Sequence, residues 1–315
     1  MPNNLAPNNA NAAGRLCCSA SSLAAKSAIL PALKSKLFHP KNYNKGEPIM
    51  KTVAVAQMNS TDEIAVNLAT LSRQVASAKQ QGAQLILLPE NCAFMGKHQH
   101  QTRDIAEPLG HGRVQIRIAD IAAQYGIWIL VGGFATMEND KIYQTLLVYD
   151  DMGDLVEHYH KRHLFNVTLP NADESYRESD AFDYGDVLKV VKTPVGRVGL
   201  AICYDLRFPE HFRALVDFGA EILVLPAAFT YNTGKAHWQP LLQARAIENQ
   251  CYVLASGQCG RHANGRDTWG HSMILNPWGE IIAQCHDGED VVTAEVDLVT
   301  LYRQRQTFPA LTHRR

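Results

Sequence analysis

Several things are scarce in this chain, and each scarcity removes a class of answer. Net charge is only −1 over 315 residues. No one-signed field therefore draws nucleic acid or an anionic membrane, and neither is expected as a partner. There is no uninterrupted apolar run of about 20 residues, the length a membrane-spanning helix needs. Cysteines number seven, odd and scattered. That argues against a disulfide framework and for a reducing compartment. None stands in a Cys-x-x-Cys pair of the kind that holds structural zinc. No internal repeat and no Pro/Gly/Ser-rich linker divides the chain. Acid is nearly absent from residues 1–49, where Glu47 stands against Arg15, Lys26, Lys34, Lys36, Lys41 and Lys45.

That leader fits a transit peptide, a disordered extension, or sequence upstream of a start at Met50. It is set apart from the fold, with Cys17 and Cys18 in it. The expected organisation is a leader over 1–49 and one catalytic domain over 50–315. The expected compartment is the cytoplasm, or the mitochondrion if the leader is a transit peptide.

What is present begins with a regular alternation. Thr52–Gln57 predicts a strand, and Ser60-Thr-Asp-Glu63 a capping box opening a helix. Leu68, Leu71, Val75 and Ala78 share one face of that helix, which Gly82 ends. Leu85–Leu88 is so apolar that it implies a sheet buried by helices. A helix over Val114–Tyr125 and a strand over Ile127–Phe134 follow. Ile142–Tyr149 and Leu155–Tyr159 read as a hairpin, as do Val187–Thr193 and Arg197–Ile202. Pro209–Phe218 and Ala236–Gln250 read as helices, each leading into a strand, Ile222–Leu225 and Cys251–Ser256. The end is hairpin-rich, with strands at Ser272–Leu275, Ile281–Gln284 and Val291–Val296. Strand–helix–strand units mixed with hairpins predict an α/β (α+β) fold of mixed sheets under helices.

Three side chains stand directly after predicted strands: Glu90 in Leu87-Leu-Pro-Glu90, Lys161 in Tyr159-His-Lys161, and Cys203 in Gly199-Leu-Ala-Ile-Cys203. Strand ends converge on one rim of a sheet. A carboxylate there can take a thiol proton, and an ammonium can stabilise a thiolate and a developing oxyanion. Base, cation and thiol make a candidate set for thiol acyl chemistry. Singly, each has a plainer reading as a surface carboxylate, a solvated lysine or a core cysteine. His158, His160 and His163 invite a metal reading, but no carboxylate or cysteine cluster completes a set along the chain, so no metal is expected.

Leu-Leu-Pro-Glu90, His-Lys161-Arg-His-Leu-Phe165 and Ala-Ile-Cys203-Tyr-Asp-Leu-Arg-Phe-Pro-Glu210, in that order, resemble the three signature motifs of the nitrilase superfamily of carbon–nitrogen hydrolases. The resemblance runs from about Val53 to the chain end. It implies a four-layer α-β-β-α sandwich, homodimers or larger homo-oligomers, and a cofactor-free amidase acting on a small-molecule amide. By role it implies Glu90 as general base and acid, Lys161 as oxyanion stabiliser and Cys203 as nucleophile. The backbone N–H of Tyr204 would complete the oxyanion hole. Glu178, ahead of Glu174, matches the second glutamate that positions the lysine and the substrate. Asn166 stands where many members have Asp. Ala236 to Tyr252, Gln258-Cys-Gly-Arg-His262 and Gly270-His-Ser-Met-Ile-Leu-Asn-Pro-Trp-Gly279 resemble the Nit-type branch. That branch implies cleavage of deaminated glutathione to 2-oxoglutarate and cysteinylglycine, a metabolite-repair reaction. The alternatives are an omega-amidase on 2-oxo acid monoamides such as 2-oxoglutaramate, or a carbamoyl hydrolase. Phe229, Thr230, His237 and Trp238, after the strand Ile222–Leu225, are candidate pocket residues, with Trp238 in the core as the plainer alternative. Arg207 is read as a partner for a substrate carboxylate or for Asp205. Arg245 and Glu248, three apart on a helix, are read as a structural pair.

Overall fold

The computed structural model describes residues 50–168 and 175–315, which lie in one compact unit. The readings of the leader, Cys17, Cys18 and Glu174 fall outside the described residues. In chain order the first strands are β1 (Lys51–Gln57), β2 (Leu85–Leu87), β3 (Glu107–Pro108), β4 (Trp128–Glu138), β5 (Lys141–Tyr149) and β6 (Leu155–His160). A small hairpin, β7 (Asn166–Thr168) with β8 (Ser175–Arg177), follows. Next come β9 (Val190–Thr193), β10 (Gly196–Leu200), β11 (Ile222–Ala227) and β12 (Tyr252–Gly257). The last are β13 (Cys259–Arg261), β14 (Asp267–Trp269), β15 (Met273–Leu275), β16 (Ile281–Gln284) and β17 (Asp290–Val296).

Two mixed sheets result. The first runs β17-β1-β2-β4-β5-β6, with β3 beside β4, and the second runs β16-β15-β12-β11-β10-β9. Strands reached through a helix pair in parallel, as β1 with β2 or β11 with β12, and those joined by tight turns pair antiparallel. Helices α1 (Ile64–Gln80) and α3 (Arg113–Tyr125), separated by the short α2 (Gln99–Asp104), cover the first sheet. Leu71, Val75, Ala78, Ile118 and Ile121 pack there on Ala54, Ile86, Ile129 and Leu147. Each fully buried large aliphatic contributes on the order of 1.5–3 kcal/mol. Helices α4 (Pro209–Asp217) and α5 (Tyr231–Asn249) cover the second sheet. The sheets' other faces meet, β1 against β12 and β4 against β11. This is the expected α-β-β-α sandwich.

The sheets come closest at Gly132. A Cβ there would stand 2.1 Å from Cβ of Pro226 and 2.4 Å from the Leu88 carbonyl. A bulge in β4 between Val131 and Phe134 places Gly133 at φ +67°. Bulges of this kind re-aim a strand beside a site.

Local expectations failed where tertiary contacts took over. No capping box forms at Ser60–Glu63: the N-cap is Glu63, without a side-chain cap bond. Instead the Ser60 hydroxyl donates to the Cys92 carbonyl at 3.2 Å, and Asn67 clasps both polar backbone groups of Thr61, at 2.8 Å each. Helix α5 starts at Tyr231 rather than Ala236, and β9 at Val190 rather than Val187. A closing helix, α6 (Leu298–Thr307), carries no strong apolar period and was not expected.

Candidate active site

Because β6 and β2 run the same way through β4 and β5, their ends share one edge of the first sheet. Glu90 follows β2 there, and Lys161 follows β6. Cys203 comes to the same edge from the second sheet, after β10. The three meet between the sheets and are nearly sealed, with relative exposures of 4%, 1% and 7%. A cation so buried needs partners, and Lys161 has them. Its Nζ donates to Glu90 Oε1 at 2.7 Å and to both oxygens of Glu178, at 2.7 and 2.9 Å. Glu178 is further held by the Phe165 N–H at 2.6 Å. Glu90 Oε2 accepts the Ala228 N–H at 2.9 Å, and the Cys203 thiol lies beside its carboxylate in the same cavity wall. Gly133 clears the space: a Cβ on it would lie 3.0 Å from Glu90 Cγ.

The electrostatics follow. Burial opposes ionisation of Glu90, yet the Lys161 ammonium holds its carboxyl below the usual range. Burial raises Glu178, and the neighbouring Glu90 charge adds to that against the pull of Lys161. Burial likewise opposes the charge on Lys161, but Glu178 and then Glu90 keep it protonated well above the ordinary lysine range. Burial first, then the Glu90 charge, raise the Cys203 thiol. A thiolate stabilised by Lys161 at rest is therefore not what the site holds. The ammonium is already shared by two carboxylates, so a third negative group, on sulfur, would be uncompensated. The resting state is a neutral thiol facing an ionised carboxylate.

The turn that presents Cys203 is strained. Cys203 has φ +46°, a left-handed conformation that costs a non-glycine residue energy. A 3₁₀ helix over Cys203–Arg207 begins there, and its first bond runs from Asp205 N–H to the Ile202 carbonyl at 3.0 Å. The N–H groups of Cys203 and Tyr204 precede that bond and stand outside the helix's own ladder. Asp205, fully buried, clamps the turn. It accepts the Ile202 N–H at 2.9 Å, the Tyr159 hydroxyl at 2.7 Å and the His163 N–H at 3.1 Å, with His163 Nδ1 at 2.6 Å. Tyr159 and His163 flank Lys161, so one carboxylate ties the Cys203 turn to the lysine loop. Arg245 braces the same turn through the Leu206 carbonyl at 2.7 Å and pairs with Glu248 at 2.9 Å, as read from their spacing.

A cavity of about 500 Å³ opens over the cluster, lined by Glu90, Lys161, Glu178 and Cys203 with Phe165, Gln144 and Arg266. The pocket residues expected from sequence are only partly near it. Phe229, Thr230 and Arg207 line a small recess beside Cys203 and Tyr204. Trp238 is core, 1% exposed, its indole donating to the His271 carbonyl at 2.9 Å. His237 is exposed on α5 and meets Arg207 at 3.3 Å. Neither lines the cavity, because the helix turns both away from the strand ends. Arg207 does not partner Asp205; its guanidinium lies 5.4 Å from the Phe229 ring centre. Arg266, Gln144 and Phe165 had been missed as cavity residues. Only the Asn264-Gly265 turn hinted at the hairpin that carries Arg266.

The histidines separate. His163 turns to Asp205, while His158 and His160 lie on the outer edge of the first sheet. A carboxylate that chain spacing concealed, Glu138, meets His160 Nε2 at 3.0 Å. None of these three lines the cavity.

A family profile described as carbon-nitrogen hydrolase matches residues 52–306. The chain is 45% identical to the nitrilase and fragile histidine triad fusion protein NitFhit of Drosophila melanogaster, over 84% of this chain and 57% of that one. It is 42% identical to the deaminated glutathione amidase of Bos taurus, over 84% and 81% of the two chains. Among solved structures it is similar to NitFhit of C. elegans, with TM-score 0.77 and 34% identity over 84% of this chain and 65% of that one. The chain thus spans less than two thirds of either fusion protein.

Proposed function

The chain belongs to the carbon–nitrogen hydrolase family, and from that premise we propose that it hydrolyses the amide of deaminated glutathione, giving 2-oxoglutarate and cysteinylglycine. The observation that carries the chemistry is the single buried ammonium of Lys161, bonded to both Glu90 and Glu178 beside the Cys203 thiol. The acyl group follows from the relatives that bear that activity as their name.

In this reading, proton transfer and attack are coupled. Glu90 takes the Cys203 proton as sulfur bonds to the amide carbon. The carbonyl oxygen becomes an oxyanion facing Lys161 and the Tyr204 N–H. The carbon–nitrogen bond breaks as Glu90 returns the proton to the departing nitrogen, leaving a thioester on Cys203. Water, deprotonated by Glu90, attacks the thioester, and the proton passes to the sulfur as the acid leaves. Glu178 keeps Lys161 aligned throughout. One oxyanion donor of this kind is worth about 2.7–4 kcal/mol of barrier.

The family resemblance brings with it an expected association of two copies; the odd, scattered cysteines carry the expectation of a reducing compartment, the cytoplasm or, with a transit peptide, the mitochondrion. Exposed Ile247, Trp278 and Phe308 supply an apolar surface that supports the association.

The test is a substrate panel with product detection and intact-mass analysis. Wild type is expected to release cysteinylglycine from deaminated glutathione and to show the acyl adduct when quenched, and Cys203→Ala to do neither. Full activity in Cys203→Ala overturns the mechanism. A rate on 2-oxoglutaramate far above that on deaminated glutathione overturns the substrate.

A further inference from the structure

We propose that Arg266 forms a subsite for a carboxylate group of the substrate, at the junction of the catalytic cavity with a second cleft. Arg266 sits on the turn of the β13–β14 hairpin and lines the catalytic cavity and the recess beside Cys203. It also lines an outer cleft of about 710 Å³ whose walls include Thr230, Trp269 and His271. A ligand reaching from the sulfur toward that cleft passes this guanidinium.

Its position is held on two sides. Nη2 donates to the Ala228 carbonyl, and the guanidinium lies 5.1 Å from the Tyr176 ring centre. The N–H of the same residue, Ala228, holds Glu90 Oε2 at 2.9 Å, so one residue links Arg266 to the reacting groups. Yet its donors are not all engaged. Nε is buried and has no hydrogen-bond partner among the described residues. A buried unsatisfied donor in a native structure calls for an explanation, and a planar fork with free N–H groups matches a carboxylate.

Charge points the same way. At the bottom of the cavity the one ammonium is already taken up by two carboxyl groups. Lys97, another lining cation, is tied to Asp62 at 2.9 Å. Among the described residues Arg266 forms no ion pair, although its charge is felt at Glu90. An anionic acyl or leaving group entering this cavity needs a cation, and Arg266 is placed to be it. The alternative is that Arg266 merely braces the Ala228 peptide behind Glu90.

This inference rests on the proposed amidase reading but is tested without turnover. The probes are 2-oxoglutarate and cysteinylglycine, the acyl and leaving halves, titrated calorimetrically into Cys203→Ala and into Cys203→Ala with Arg266→Gln or Arg266→Lys. Expected is a loss of 30-fold or more in affinity for one half with Gln, partly restored with Lys. The half affected identifies which carboxylate is held. Amidating that carboxylate should impose the same loss on Cys203→Ala and no further loss on the Gln variant. Unchanged affinity for both halves overturns the proposal, as does failure of Cys203→Ala to bind either. In otherwise wild-type enzyme, Arg266→Gln should raise KM for deaminated glutathione at least 30-fold with kcat changed less than about threefold. A fall in kcat at constant KM would make Arg266 a brace for Glu90 instead. If wild type fails to hydrolyse deaminated glutathione while the binding loss is seen, the substrate reading falls and the subsite stands.

Discussion

At Lys161 a single ammonium balances two carboxylates, and most of the site's behaviour follows from that count. Lys161→Met should lower kcat/KM by more than 100-fold, in line with lost oxyanion donors. It should also destabilise the protein by about 3–5 kcal/mol, because buried Glu90 and half-buried Glu178 would lose the cation between them. Adding Glu178→Gln should restore part of the melting temperature and none of the activity. Thermal unfolding beside steady-state kinetics reads both. Cys203 gives a pH prediction. Burial and Glu90 raise its thiol, so iodoacetamide should alkylate it at a rate that keeps rising beyond pH 9. A plateau near the ordinary thiol pKa of about 8.5 would contradict the neutral resting state. At this scale Glu90, Lys161 and Cys203 were legible as groups standing directly after strands, and Glu178 only through the family resemblance; the fold brings Glu90 and Glu178 onto Lys161. For Trp238 the core reading holds and the pocket reading does not, while the direction of His237 depends on how α5 is rotated against the sheet.

The elements set distances that no side chain sets alone. The Gly132-Gly133 bulge lets β4 approach Pro226 and leaves room for Glu90. Gly132→Ala would force its Cβ into Pro226 and the Leu88 carbonyl. A loss of about 1–3 kcal/mol and a fall in kcat are expected, read by denaturant unfolding and kinetics. The Asp205 clamp gives the acid limit. Burial opposes its charge, but His163, His211, the Ile202 N–H and Tyr159 hold its folded pKa below the unfolded value near 3.8. Its contribution is therefore complete above that value and is lost as pH falls through the folded one. Asp205→Asn should cost about 3 kcal/mol or more at pH 7. The gap between variant and wild type should therefore narrow as pH falls below that unfolded value. A gap that persists at pH 2 would assign the effect to packing. The longer strands of the two main sheets were readable from apolar runs, whereas the short β3, β7, β8, β13 and β14 were not. The capping box was not, because Ser60 and Asn67 bond to the Cys92–Ala93 segment, which the local pattern does not contain.

For the whole molecule, the exposed Trp278 and Phe308 rings, 6.3 Å apart, lie on a surface that the proposed association would cover. Sedimentation should give a species near twice 34.9 kDa. Trp278→Lys should shift it toward the monomer at micromolar concentration. A wild-type monomer under the same conditions would remove the association from the reading.

Local order along the chain determined the layers, since apolar runs of strand and helix length must bury one face, and it set a carboxylate, an amine and a thiol at the ends of strands. Only the folded structure decided how those groups share charge and which side chains surround them. The contacts of Glu138 with His160, Arg266 with Ala228 and Asp205 with the lysine loop join residues far apart in sequence. Their energies depend on distance and burial, and neither quantity exists until the two sheets have closed on one another.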